Sequence, residues 1–215
     1  MMLLDMRTVI VGNVIVNAVC LVILLQLCRQ NRDKYAGLQY WVVDWALQLG
    51  GAVFLALRGA IPDWVSMVLG NGMIVGGAVV LYFGLRRFAG LPVVTLKGYV
   101  LLAVYVALVV VHVHYSIVRD DLFVRSLNTS FGLSFFCLVS VLLLLREVPP
   151  EARGISRGTV VSFAFIFLLS LLRMAGFLLM PQTSNDFLHS GTYDTLLVAL
   201  LSGAIFFLVL NLVLM

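Results

Sequence analysis

The chain contains seven apolar stretches, each about as long as a helix that crosses a bilayer. About 20 residues are needed to cover roughly 30 Å of hydrocarbon at 1.5 Å per residue. Only Asp44 and Arg173 carry a formal charge inside these stretches. We therefore predict an all-α membrane protein, a single domain over residues 1–215, with seven transmembrane helices at about 8–28, 38–57, 64–85, 98–118, 126–145, 158–180 and 195–215.

Composition identifies the solvent as lipid. Hydrophobic residues make up 62% of the chain and charged residues 11%, a ratio that cannot cover a water-facing surface. Membrane lipids are therefore the expected partners, and nucleic acid is not indicated. The sequence has no Walker A loop, zinc-protease motif or nucleophile elbow, so we expect no enzymatic activity from these residues. No cofactor is implied.

The basic residues predict an orientation, because Lys and Arg are retained on the cytoplasmic side of a membrane. The loops after predicted helices one, three and five carry nine basic residues, and the N-terminus and remaining loops carry four. An odd number of spans then puts the N-terminus outside and the C-terminus in the cytoplasm. The sequence stops at Met215 inside an apolar run without a basic anchor, so we expect helix seven to continue into a cytoplasmic output region.

The first and last three helices resemble each other weakly. An offset of about 117 residues aligns Cys20 and Arg29 with Cys137 and Arg146, and Leu57-Arg58 resembles Leu172-Arg173 at a slightly different offset. This pattern predicts a parallel repeat of three helices, one linker helix and three helices, as several transporters have.

A layer of polar side chains is predicted in the outer half of the bundle. Counting 1.5 Å per residue from the outer helix ends brings five polar side chains to roughly 9 to 11 Å below the surface. Polar groups in hydrocarbon are costly without partners and are therefore candidates for function. The candidates for ligand binding are Asn13, Asn71, His112, Asn128 and Arg173.

Two interpretations of this layer remain open. In one, it lines a cavity open to the outside, where Arg173 offers its planar fork to a carboxylate, a phosphate or a similar anion. In the other, the same groups are hydrogen bonds between helices, and Arg173 reaches outward or pairs with a loop carboxylate.

Further polar residues lie deeper in the predicted spans. Asp44 and Gln48 share one face of helix two, and Asn13 and Asn17 share one face of helix one, so we expect both faces to point into the bundle. Asp44 lies too far from Arg173 in depth to pair with it. His112 and His114 are two residues apart on a helix and cannot ligate one metal ion together, so no metal site is predicted.

The second hairpin resembles a known family. Residues 54–90 contain an L-R-G-x-x-P-D turn with Arg58, Pro62 and Asp63, followed by a helix that ends in G-L-R-R-F-x-G. This stretch is similar to the membrane-embedded N-terminal sensor region of bacterial GGDEF diguanylate cyclases and of related sensor kinases. The sequence itself contains no GGDEF motif.

The resemblance implies a function for the whole chain. It would be a sensor in the bacterial inner membrane that detects a small or lipid-like ligand, regulates a cytoplasmic diguanylate cyclase after Met215, and acts as a homodimer. The alternative is a small-solute transporter, which the three-one-three repeat would favour.

Overall fold

The computed structural model describes residues 5–31, 36–148, 150–179, 187–189 and 191–215. Seven α-helices run through these residues, with a π-helical turn at His114–Val118 and a short 3-10 turn at Phe187–His189. The helices are α1 Met6–Asn31, α2 Leu38–Ala56, α3 Asp63–Phe88, α4 Leu96–Val113, α5 Leu122–Arg146, α6 Pro150–Leu179 and α7 Thr192–Leu214.

Six of the described helices are long and apolar enough to cross a membrane, α4 being counted together with part of its π-helical turn. Large apolar side chains such as Val22, Tyr99, Val110 and Phe207 lie exposed along them, as lipid contact requires and water does not favour. The helical, multi-pass character is thus confirmed by length and composition. Helix α2 is not among the six, and its role as a seventh span stays a prediction. Its Tyr, Trp, Gln and Asp residues make it less apolar.

The helices form a ring with one helix outside it. Neighbours α1, α2 and α3 pack in order, as do α5, α6 and α7, and the contacts of α3 with α5 and of α1 with α7 close the ring. Helix α4 packs mainly against α3 and α5 from outside. Helices α1, α3, α5 and α7 begin at the same end of the bundle. We call this end the cavity end and the opposite end the far end.

Glycines bring α2 and α3 close together. A Cβ atom at Gly51 would lie 2.7 Å from the carbonyl oxygen of Gly70, and one at Gly84 would lie 2.7 Å from the Trp41 ring. Small residues at such positions let two backbones approach each other, which is the usual basis of tight helix packing in membranes. The pair α2–α3 therefore depends on these glycines.

An ionic cluster fixes the far end. Arg86, which is 4% exposed, donates from Nε to the Pro92 carbonyl and from Nη1 to the Tyr82 hydroxyl and to Glu147. Lys97 also pairs with Glu147 at 3.3 Å. These contacts join the end of α3, the loop after it and the end of α5.

Six helices begin earlier than the apolar spans predict, and α5, α6 and α7 do so by three residues or more. Helix α5 begins at Leu122, where the Asp121 side chain caps it by accepting a hydrogen bond from the Val124 amide at 3.2 Å. Helix α6 begins at Pro150 and α7 at Thr192. An apolar span measures the thickness of hydrocarbon, whereas a helix can continue beyond it through charged residues.

Candidate functional site

A cavity of about 110 Å³ lies at the cavity end of the bundle. Every ring helix contributes to its wall or rim, as do the end of α4 and the 3-10 turn. Four of the five predicted ligand-binding residues line it, together with five polar residues that were not assigned to the layer. The nine are Asn13, Asn71, His112 and Arg173, and Arg58, Arg125, Ser126, Thr129 and Ser202.

Arg173 on α6 is engaged by a carboxylate of the chain itself. Its Nε atom donates to Oδ1 of Asp194 at 2.5 Å, and its Nη2 atom donates to Oδ2 at 3.3 Å. Nη1 lies 3.4 Å from the Ser130 hydroxyl, and the rings of Phe177 and Phe187 lie 5.3 and 5.8 Å from the guanidinium carbon. The fork of Arg173 is therefore used to hold α6 against the first turn of α7.

Arg125 is a charged cavity residue that the sequence analysis missed, because its predicted helix began one residue later. It lies in the first turn of α5 and is 3% exposed. Its Nη1 atom donates to the Tyr115 carbonyl at 3.2 Å and to the exposed carboxylate of Asp120. Its Nη2 atom is buried and has no hydrogen-bond partner among the described residues. The cap at Asp121 is the sequence signal that could have found it.

The π-helical turn at the end of α4 supplies the partner of Arg125. A wider turn of this kind leaves carbonyls available, and the Tyr115 carbonyl accepts from both Arg125 and the Asp121 amide. Just before this turn, His112 is 5% exposed. Neither of its ring nitrogens has a hydrogen-bond partner among the described residues.

The amides on α1 and α3 are held by local hydrogen bonds. Asn17 donates to the Asn13 side-chain oxygen at 2.9 Å, and Asn71 donates to the Met67 carbonyl at 2.9 Å. The Thr129 hydroxyl lies 3.0 Å from the Arg125 carbonyl and 3.4 Å from the Asn71 side-chain oxygen. These bonds order the polar wall of the cavity.

Asn128 faces away from the main cavity. Its side-chain amide donates to the Leu108 carbonyl at 2.9 Å and so joins α5 to α4. It lines a much smaller adjoining pocket that shares Asn71, His112 and Thr129 with the main cavity. Depth along the helix was sufficient to predict its layer, but the rotation of the helix decides its direction.

Asp44 lies deeper, between α2 and α3. It is 1% exposed, and Gln48 donates to its Oδ1 atom at 3.1 Å and also to the Ile74 carbonyl. Oδ2 of Asp44 has no partner among the described residues. Neither side chain lines the cavity.

The residues of the hairpin motif have separate roles. Arg58 follows α2, is 9% exposed and lines the cavity. Gly59 adopts a φ of +86°, a conformation that glycine permits at a tight turn. Pro62 precedes α3, and Asp63 begins it as an exposed acidic residue in the first turn. Of the motif, Arg58 alone is a candidate for ligand contact.

Over the described parts of the chain, no three His, Cys, Asp or Glu side chains come together as metal ligands. His189 follows Leu188 in the 3-10 turn, but its side chain lies outside what the structure describes.

Compared with protein-family models, with curated proteins and with solved structures, the chain gives no significant match. The resemblance of residues 54–90 to the sensor regions of diguanylate cyclases therefore stays a prediction. The site must be interpreted from its own geometry.

Proposed function

We propose that the chain is a membrane-embedded signal-input module. A small or lipid-like ligand binds in the cavity and changes the packing of α7, which leads to a cytoplasmic output region. The observation that carries this proposal is the convergence of polar side chains from several helices on one buried cavity, the usual form of a ligand site.

The contact between α6 and α7 supports a route from the ligand to the output. Asp194 lies in the first turn of α7 and pairs with Arg173, which lines the cavity. A ligand that binds two packings of α7 with different affinity shifts the equilibrium between them. Binding of the ligand in the cavity can thus change the position of the far end of α7.

The proposed orientation has the cavity end outside and the far end in the cytoplasm of a bacterial cell, with α2 as a seventh span. The distribution of basic residues supports it. In the resembled family the output is a diguanylate cyclase and the protein is a homodimer, and we propose both for this chain on that resemblance.

The coding sequence that follows Met215 tests the output. We expect a helical linker and a GGDEF domain, and purified whole protein should convert GTP to cyclic di-GMP. A short basic tail followed by a stop codon would contradict the proposal.

A small-solute transporter is the second candidate, and the ring of helices favours it. Three helices on each side with α4 outside are the arrangement expected of a three-one-three repeat. Arg58 lies just after α2 and Arg173 lies within the last two turns of the matching helix α6, and both line the same cavity. Uptake of labelled solute into proteoliposomes would support this candidate, whereas a cavity that never opens to the far end would contradict it.

A further inference from the structure

We propose that the cavity binds a small oxyanion group, a carboxylate or a phosphate, and that Arg125 is its principal ligand. The inference names the ligand class of the proposed sensor site and rests on that proposal for its biological role. Its physical basis is separate, because it depends on the hydrogen-bonding state of the cavity side chains.

Three buried arginines line the cavity. They are Arg58, Arg125 and Arg173, which are 9%, 3% and 7% exposed, and each also interacts with another group of the chain. Guanidinium groups stay protonated in proteins, so three positive charges surround one small space. Asp194 is paired with Arg173, and Asp120, which pairs with Arg125, is itself 65% exposed at its side chain. An anion inside the cavity would be attracted by charges that water screens poorly there.

The buried Nη2 atom of Arg125 has no partner among the described residues. A buried charged donor without a partner is unfavourable, and native proteins rarely leave one. Nη1 is held by the Tyr115 carbonyl, and Nη2 lies beneath packed side chains, so a ligand in the cavity reaches it when those side chains move aside. His112, also without a partner, supplies a second polar group on the same wall.

Arg173, which the sequence predicts as an anion ligand, is already engaged. Asp194 already occupies two of its nitrogen atoms. An oxyanion at Arg125 would therefore meet Arg173 only beside Asp194, or in competition with it. The structure assigns the primary contact of the anion to Arg125. The neighbouring Arg173–Asp194 ion pair is the contact that the bound anion disturbs.

The cavity size limits the ligand. A space of 110 Å³ is smaller than the roughly 150 Å³ that accepts a benzene ring. A group of a few heavy atoms, such as acetate or phosphate, fits this limit. The phosphate could belong to a free ion or to a lipid headgroup that enters from the membrane.

The test measures binding to the chain in a neutral detergent after lipid removal. Acetate or inorganic phosphate replaces chloride at constant ionic strength, and the melting temperature is followed. We expect a saturable rise for the wild type and at least a tenfold weaker apparent Kd for Arg125→Gln. Arg146→Gln is the matched control, because Arg146 lies exposed at the other end of the same helix.

A second arm adds short-chain phosphatidylglycerol, with phosphatidylcholine as its uncharged counterpart. Saturation by phosphatidylglycerol alone, dependent on Arg125, would identify the lipid headgroup as the source of the oxyanion. If Arg125→Gln is not monodisperse, Arg125→Lys replaces it, since Lys keeps the charge but loses the second terminal nitrogen. The same direction of change is then expected.

Two results would overturn the inference. Equal apparent affinity in the wild type and in the Arg125 variants would remove Arg125 from the site, and no saturable effect of any oxyanion would mean that water fills the cavity. Either result leaves the signal-input proposal open to a neutral ligand. Conversely, oxyanion binding without any change in α7 would keep this site and contradict the proposed function.

Discussion

Arg173 and Asp194 form the buried ion pair that joins α6 to α7. The pair is 8% and 9% exposed at its side chains and includes two hydrogen bonds. The net contribution of such a pair is small, but the removal of one partner leaves a buried charge uncompensated. At the scale of single residues, this asymmetry makes a definite prediction.

We expect Asp194→Asn to destabilise the protein by about 3 kcal/mol or more, because the Arg173 charge remains buried without its counter-charge. Thermal unfolding in detergent measures the change. The double variant Arg173→Met with Asp194→Asn should lose less stability than the two single changes add up to. Asp63→Asn is the control, since Asp63 is also acidic in the first turn of a helix but is exposed. Additive losses would show that the pair is not coupled.

The sequence predicts the depth of an individual side chain in the membrane but not the direction in which it points. Depth along each helix was enough to bring Asn13, Asn71, His112 and Arg173 to one cavity, because antiparallel helices share a common scale of 1.5 Å per residue. Asn128 has the right depth but faces α4. One of the two alternatives for Arg173, pairing with a loop carboxylate, is confirmed by Asp194, the residue just before the predicted span 195–215. Which carboxylate it would be depends on how α6 and α7 are rotated against each other.

At the scale of elements, the pair α2–α3 depends most on side-chain size. A Cβ atom at Gly77 would collide with the Asp44 carboxylate and lie 2.8 Å from Nε2 of Gln48. We expect Gly77→Ala to lower stability by roughly 1–3 kcal/mol, as overpacking of a tight interface does. Thermal unfolding is the measurement.

Gly72→Ala on the same helix is the matched control. A Cβ atom at Gly72 meets nothing within 4 Å, so the gain in helix propensity, at most about 1 kcal/mol, should leave stability equal or slightly higher. Equal losses for both substitutions would contradict the close packing of α2 and α3.

Element boundaries illustrate what hydropathy can and cannot predict. All seven helices lie where apolar runs predict them, because the runs report the hydrocarbon thickness. The start of α5 depends instead on a cap at Asp121, and this shift of four residues moves Arg125 from a loop into a buried helical turn. A small error in one boundary therefore concealed a candidate ligand residue.

At the scale of the whole molecule, the orientation is open to direct measurement. Single cysteines at Ala60 and Val94, both exposed, report the cavity end and the far end in a variant without Cys20, Cys28 and Cys137. A membrane-impermeant maleimide applied to intact spheroplasts should label Ala60→Cys and not Val94→Cys. The reverse pattern would invert the proposed orientation and expose the cavity to the cytoplasm.

The central claim is that occupancy of the cavity changes the packing of α7. Arg87 on α3 and Leu214 on α7 are both exposed at the far end. Pulsed electron paramagnetic resonance measures the distance between spin labels attached at these two positions. We expect saturating acetate or phosphate to shift this distance by about 2 Å or more in the wild type, a typical size for a helix displacement, and to leave it unchanged in Arg125→Gln. Identical distance distributions in the wild type with and without a saturating anion would contradict the account.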